Sequence, residues 1–134
     1  MPPVKADTVM IIDDVEMTRT LLRMLIQSDA YNVVGLAASG KTGLLKAGDL
    51  RPDIICLDIH LPDEDGLQVL TQLKEALPRT QVIMVTAIRD RDTVQTAISS
   101  GACGFIVKPF TASTIQVALE KASKALRATK PVVD

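Results

Sequence analysis

The chain predicts an α/β fold, a largely parallel sheet covered by helices on both faces, and three observations predict it. Five short apolar runs, at residues 8–12, 31–37, 53–57, 81–85 and 104–107, are bounded by turn chemistry. Five segments with apolar residues at helical spacing follow them in turn. The strict alternation of the two is the pattern of parallel strands joined by crossover helices. At 134 residues the chain fits one domain of roughly 100–200 residues.

Taken in order, residues 8–12 (T-V-M-I-I) are apolar and β-branched and end in Asp13 and Asp14. Residues 15–28 carry Leu21, Leu22 and Leu25 among good helix formers. Residues 31–37 (Y-N-V-V-G-L-A) read as a second strand interrupted by Gly35. Residues 40–50 read as a short helix, although Gly43 and Gly48 each cost about 1 kcal/mol against alanine. In the third strand, 53–57, the run Ile54-Ile55-Cys56-Leu57 is continuous, the mark of a strand buried on both faces, and Asp58 ends it. Pro62, Asp63, Asp65 and Gly66 supply a turn and a helix start. The helix 66–77 places Leu67, Leu70, Leu73 and Leu77 at helical spacing, and Pro78 closes it.

Residues 81–85 (Q-V-I-M-V) form a fourth buried strand, followed by Thr86 and Ala87. A helix over 92–100 has Val94, Ala97 and Ile98 on one side and stops at Gly101. The shortest strand, 104–107, ends in Lys108-Pro109. The last helix runs from Ala112 or Ser113 to about Arg127, with Ile115, Ala118, Leu119, Ala122 and Leu126 as its apolar stripe. The expected organisation is an N-terminal extension over 1–6, one folded domain over 7–128 and a tail over 129–134, with no effector domain after it.

Composition excludes several classes of function. Net charge is −1 and aromatic residues are 2%, so neither a basic nucleic-acid surface nor stacking platforms for single strands are present. No run approaches the roughly 18 apolar residues of a membrane span, and the start lacks a signal-peptide core. Cys56 and Cys103 lie in apolar surroundings and match no metal-site spacing, so they are expected to be packing residues in a reducing compartment. A cytoplasmic protein is the expectation, with no nucleic-acid or membrane partner.

The strand ends carry the chemistry. In a parallel sheet the ends of all strands lie on one edge, where open α/β sheets gather their ligands. That edge collects Asp13, Asp14, Asp58, Thr86 and Lys108. Clustered carboxylates repel one another and raise each other's pKa unless a cation resolves the conflict. Mg²⁺ suits a site of a few carboxylates that leaves positions for water and phosphate oxygens. Lys108 supplies a mobile positive charge suited to a phosphoryl group, and Thr86 supplies a hydroxyl.

These residues in this order resemble the receiver domain of two-component response regulators: the acidic pair Asp13-Asp14, Asp58, Thr86-Ala87, and Phe105 with Lys108-Pro109. The resemblance spans residues 7–127. It implies a five-stranded parallel sheet of flavodoxin-like order 2-1-3-4-5. It also implies that Asp58 accepts a phosphoryl group from a sensor histidine kinase or phosphotransfer protein. Asp14 and Asp58 would hold Mg²⁺ directly, Asp13 directly or through water, and the backbone carbonyl of His60 would complete the protein ligands. Lys108, Thr86 and the Ala87 N–H would contact phosphoryl oxygens. Thr86 and Phe105 would form a switch that alters the face made by the fourth helix, fifth strand and fifth helix, where a downstream protein binds. The stretches M-T-R-T-L-L-R and G-F-I-V-K-P-F are similar to single-domain chemotaxis regulators.

Competing readings exist. Residues 35–42 (G-L-A-A-S-G-K-T), opened by Gly35 and closed by Lys41-Thr42, formally match the nucleotide-binding P-loop. Against it, Gly35 falls inside a strand and the match leaves Lys108, Thr86 and the acidic pair unused. A haloacid-dehalogenase-type phosphatase would need a carboxylate two residues after Asp58, where His60 stands; His60 is read as a solvent-facing loop residue beside the site. A protein-binding pseudo-receiver is disfavoured because every chemically necessary residue is present.

Overall fold

A computed structural model of the chain describes residues 5–87 and 89–129. Ile88, the first four residues and the end of the expected tail, 130–134, lie outside the described residues. Five strands and five helices alternate: β1 (Asp7–Ile12), α1 (Glu16–Ile26), β2 (Tyr31–Ala37), α2 (Gly40–Leu50), β3 (Ile54–Leu57), α3 (Gly66–Ala76), β4 (Gln81–Thr86), α4 (Arg91–Ser99), β5 (Gly104–Val107) and α5 (Ala112–Thr129). The sheet is parallel throughout, in the order β2-β1-β3-β4-β5.

Side chains alternate across a strand, so each strand feeds two cores. Met10, Ile12, Ile55, Leu57, Val82 and Met84 pack with residues of α2, α3 and α4, including Ala47, Leu70 and Ala97. Val9, Ile11, Ile54, Cys56, Ile83 and Val85 pack with Leu22 and Ile26 of α1 and Ile115 and Leu119 of α5. Burying each large aliphatic side chain stabilises the fold by about 1.5–3 kcal/mol, which is why the strands read as unbroken apolar runs.

The helices begin where side chains can satisfy their first amides. Ser39 accepts from Thr42 N (3.2 Å), Asp65 from Leu67 N (2.9 Å) and Asp90 from Thr93 N (2.7 Å). Gly101, with φ +108°, ends the run after α4 as expected.

Several expectations are corrected. Gly35 does not interrupt β2: it pairs with Met10, and a shift between Val9 and Met10 absorbs one extra residue of β2. With Leu36 opposite Ile11 and Ala37 opposite Ile12, this stretch is sheet and cannot form the loop a P-loop requires. Asp53 is not in β3, so β3 and β5 are equally short at four residues. Helix α1 stops at Ile26, because Ser28 instead accepts from Ala30 N and Tyr31 N in a turn. Ile98 is 45% exposed, rotated about 100° from buried Ala97, and Leu21 is 44% exposed. Thr129 is the last residue of α5 rather than the first of a tail.

Candidate functional site

The site is built on the last rungs of the sheet. Asp13 donates its backbone N–H to Ala37 O (3.0 Å), Asp58 to Ile12 O (2.9 Å) and Lys108 to Thr86 O (2.8 Å). Because β1 and β3 are neighbours in register, with Ile12 opposite Leu57, the aspartates that follow them emerge side by side. Asp13 is 1% and Asp58 5% exposed, whereas Asp14 is exposed.

Lys108 crosses to both buried carboxylates, its Nζ lying 2.8 Å from Asp13 Oδ2 and 3.1 Å from Asp58 Oδ2. Burial pushes the Asp58 carboxyl above its ordinary value; Lys108 pulls it back and Asp13 pushes it up again. Burial would lower Lys108, but its hydrogen bond to Asp13 and the charges of Asp58 and Asp13 outweigh that and hold it above its ordinary value. Two buried carboxylates against one ammonium leave a net negative pocket. Ligand atoms of Asp13, Asp14 and Asp58 all lie within 4.8 Å of one another. Three hard oxygen donors at that spacing, one of them open to water, fit Mg²⁺.

Local bonds orient these groups. Asp13 Oδ1 accepts from Val15 N (2.9 Å), tying the carboxylate to the start of α1. Arg19 Nη1 donates to the Asp13 carbonyl (2.7 Å). Asp58 Oδ1 accepts from His60 N (3.2 Å), and Gly66 N donates to Ile59 O (2.7 Å), folding the β3–α3 loop back on itself. Gly66 is required there, since a Cβ would collide with the carbonyl oxygen of Asp58 and the backbone of Ile59.

The structure therefore brings together Asp13, Asp14, Asp58 and Lys108. Thr86 is fully buried at the end of β4, and its carbonyl holds the Lys108 amide; Ala87 is exposed next to it. His60 is exposed in the loop, as expected of a residue beside the site. Phe105 lies earlier in β5, opposite Met84, and is partly buried against the α2–α3–α4 core. Lys41 is exposed, and its amide and that of Gly40 are taken by Asp63 (3.0 and 2.9 Å). The cysteines are free; burial and then Cys103 push the Cys56 thiol to about 12, and burial raises half-buried Cys103.

The sequence reading gave Arg19 no role at the site and read Asp63 only as part of the turn and helix start, not as a tie to α2. Asp63 had a signal: α3 needs one cap, which Asp65 supplies, so the aspartate two positions earlier is surplus to that helix.

A family profile described as response regulator receiver domain matches residues 9–120. The chain is 39% identical over 115 residues to the chemotaxis protein CheY of Listeria monocytogenes, covering 86% of this chain and 97% of that protein. The response regulator domain of Thermotoga maritima CheB superposes with a TM-score of 0.82 at 30% identity, covering 94% of this chain and 99% of that one. A chain of the CheX–CheY–BeF3–Mg²⁺ complex of Borrelia burgdorferi superposes with a TM-score of 0.84 at 28% identity, covering 87% of this chain and 89% of that one. No helix among the described residues is long and apolar enough to cross a membrane.

Proposed function

The chain belongs to the response regulator receiver family, whose general function is a phosphorylation switch, and we propose that it works by accepting a phosphoryl group on Asp58 from a phosphohistidine. The observation that carries this reading is Lys108 held between Asp13 and Asp58 beside exposed Asp14. Asp58 Oδ attacks phosphorus, the P–N bond to the donor imidazole breaks, and the imidazole leaves with the electron pair. A carboxylate needs no base to become a nucleophile. Lys108 draws the Asp58 carboxyl back toward ionisation against its burial and then follows the charge onto a phosphoryl oxygen, a neutralisation of the kind that dominates phosphoryl transfer.

Asp13, Asp14, Asp58 and the His60 carbonyl would hold Mg²⁺, which when bound neutralises phosphoryl oxygens. The Thr86 hydroxyl and the Ala87 N–H would donate to the remaining oxygens. In reaching the phosphoryl group Thr86 would vacate space that Phe105 fills, reshaping the α4–β5–α5 face for a downstream protein. Phosphorylation replaces the single charge of the Asp58 carboxylate with a phosphoryl group that carries about −1.5 to −2 charges and three acceptor oxygens, enough for several such contacts to bias a two-state element.

Incubation with acetyl phosphate and Mg²⁺, followed by intact-protein mass spectrometry, tests the reading. Wild type should gain one phosphoryl mass, and Asp58→Asn or added chelator should abolish it. A full shift in Asp58→Asn would overturn the assignment. No shift in wild type would favour a protein-binding pseudo-receiver instead.

A further inference from the structure

The loop from Asp58 to Asp65 carries the acceptor at one end and the α3 cap at the other. Most of its ties stay within the loop and its helix: His60 N to Asp58 Oδ1, Gly66 N to Ile59 O, and Leu67 N to Asp65 Oδ1. Among the described residues, one side chain of the 59–65 stretch hydrogen-bonds a different element. Asp63 accepts from Gly40 N through Oδ1 (2.9 Å) and from Lys41 N through Oδ2 (3.0 Å), 23 and 22 positions away. These are the first amides of α2, a helix already capped by its own Ser39.

The approach is close. A Cβ at Gly40 would lie 2.9 Å from Val69 Cγ2 of α3, 3.3 Å from Glu64 Oε2 and 3.4 Å from Asp63 Oδ1, so glycine there lets the start of α2 approach α3 and the loop closely. The carboxylate is also kept ionised: the Lys41 amide first, then that of Gly40, hold Asp63 below the usual carboxylate range although it is exposed.

We propose that Asp63 is a positioning residue for the phosphoacceptor loop: by tying the loop to α2 it holds Asp58 and the His60 carbonyl in the arrangement that receives the divalent cation. This rests on the functional reading above. A loop fixed in its bound form pays less ordering entropy when the ion arrives, and partners behind a metal's direct ligands often set its affinity.

The test is to titrate Mg²⁺ alone, by calorimetry and amide NMR, into wild type, Asp63→Ala, Asp63→Asn and Ser39→Ala. Ser39→Ala removes a cap from the same helix without touching the loop, so it reports what weakening α2 does by itself. Asp63→Ala should bind Mg²⁺ about three- to tenfold more weakly, at or below the low end of the 10–100-fold range for groups contacting a ligand directly. Its Asp58 and His60 amides should shift before metal is added. Asp63→Asn keeps one acceptor oxygen and should fall between, and it carries the test if Asp63→Ala does not fold. Ser39→Ala should bind as wild type does. Wild-type affinity in the Asp63 variants, or an equal loss in Ser39→Ala, would overturn the inference while leaving the function intact. No saturable Mg²⁺ binding by wild type would overturn both.

Discussion

At the amino-terminal edge of the sheet Asp53 accepts from the Thr8 amide (2.9 Å) and hydroxyl (3.2 Å), while at the carboxyl-terminal edge Asp13 and Asp58 share one ammonium. The amino edge is a closed account of donors and acceptors. Thr8 Oγ1 in turn accepts from Asp53 N (2.9 Å), and Ser123 Oγ lies 2.6 Å from Asp7 Oδ2 and 3.2 Å from Tyr31 Oη. A serine hydroxyl has one proton, so with that proton on Asp7 the tyrosine donates to Ser123 and each group is satisfied. Room does not distinguish the edges. A cleft of about 780 Å³ opens at the amino edge beside Asp7, Tyr31 and Ser123, which already satisfy one another. What separates the edges is buried charge: Asp13 and Asp58, both buried, share the single ammonium of Lys108, so negative charge is left over after that pairing.

Breaking the contrast at its strongest point means removing the shared cation. Lys108→Met should slow phosphorylation by acetyl phosphate about a hundredfold or more, the usual scale for one transition-state charge contact. Timed mass spectrometry at saturating Mg²⁺ measures it; an unchanged rate would make Lys108 a structural tie like those of the amino edge.

The converse substitution comes next. Asp53→Ala strips the Thr8 amide and hydroxyl of their acceptor and should lower unfolding free energy by about 1–3 kcal/mol. Phosphorylation of Asp58 should continue at the wild-type rate. Urea unfolding and the mass assay together check this, and a slowed acceptor would show that the two edges communicate.

The smallest effect sharpens the comparison at the carboxyl edge. Exposed Asp90 caps α4, and the amide and hydroxyl of Thr93 hold it below the usual carboxylate range, whereas burial pushes Asp58 up. A depressed folded-state pKa means that the unfolded chain takes up the proton first as pH falls. The cap's contribution is therefore present above the ordinary carboxylate range and lost as pH falls through Asp90's lowered pKa. The stability gap between wild type and Asp90→Ala should shrink on acidification, read by unfolding at pH 7 and below 4 in chelator.

Much of this was legible from the residues alone, for a physical reason. Apolar runs and helical spacing are local patterns, so the order of elements and the convergence of Asp13, Asp14, Asp58 and Lys108 on one edge followed from them. Contacts without a local pattern were not legible. Asp63 meets Gly40 across 23 positions, Thr8 meets Asp53 across 45 and Asp7 meets Ser123 across 116. The shift that carries β2 through Gly35 was hidden too, because a glycine in an apolar run looks the same whether the strand stops or slips by one residue.

Asp13, Asp58 and Lys108 each give their own amide proton to the neighbouring strand, and this decides how the site fails. Hydrogen exchange at those positions should follow opening of three separate pairings, β1–β2 for Asp13, β1–β3 for Asp58 and β4–β5 for Lys108, rather than fraying of a loop. Warming that opens β4–β5 first should release Lys108, and warming that opens β1–β2 first should release Asp13, while Asp58 stays tied to Ile12 for as long as the β1–β3 pairing lasts.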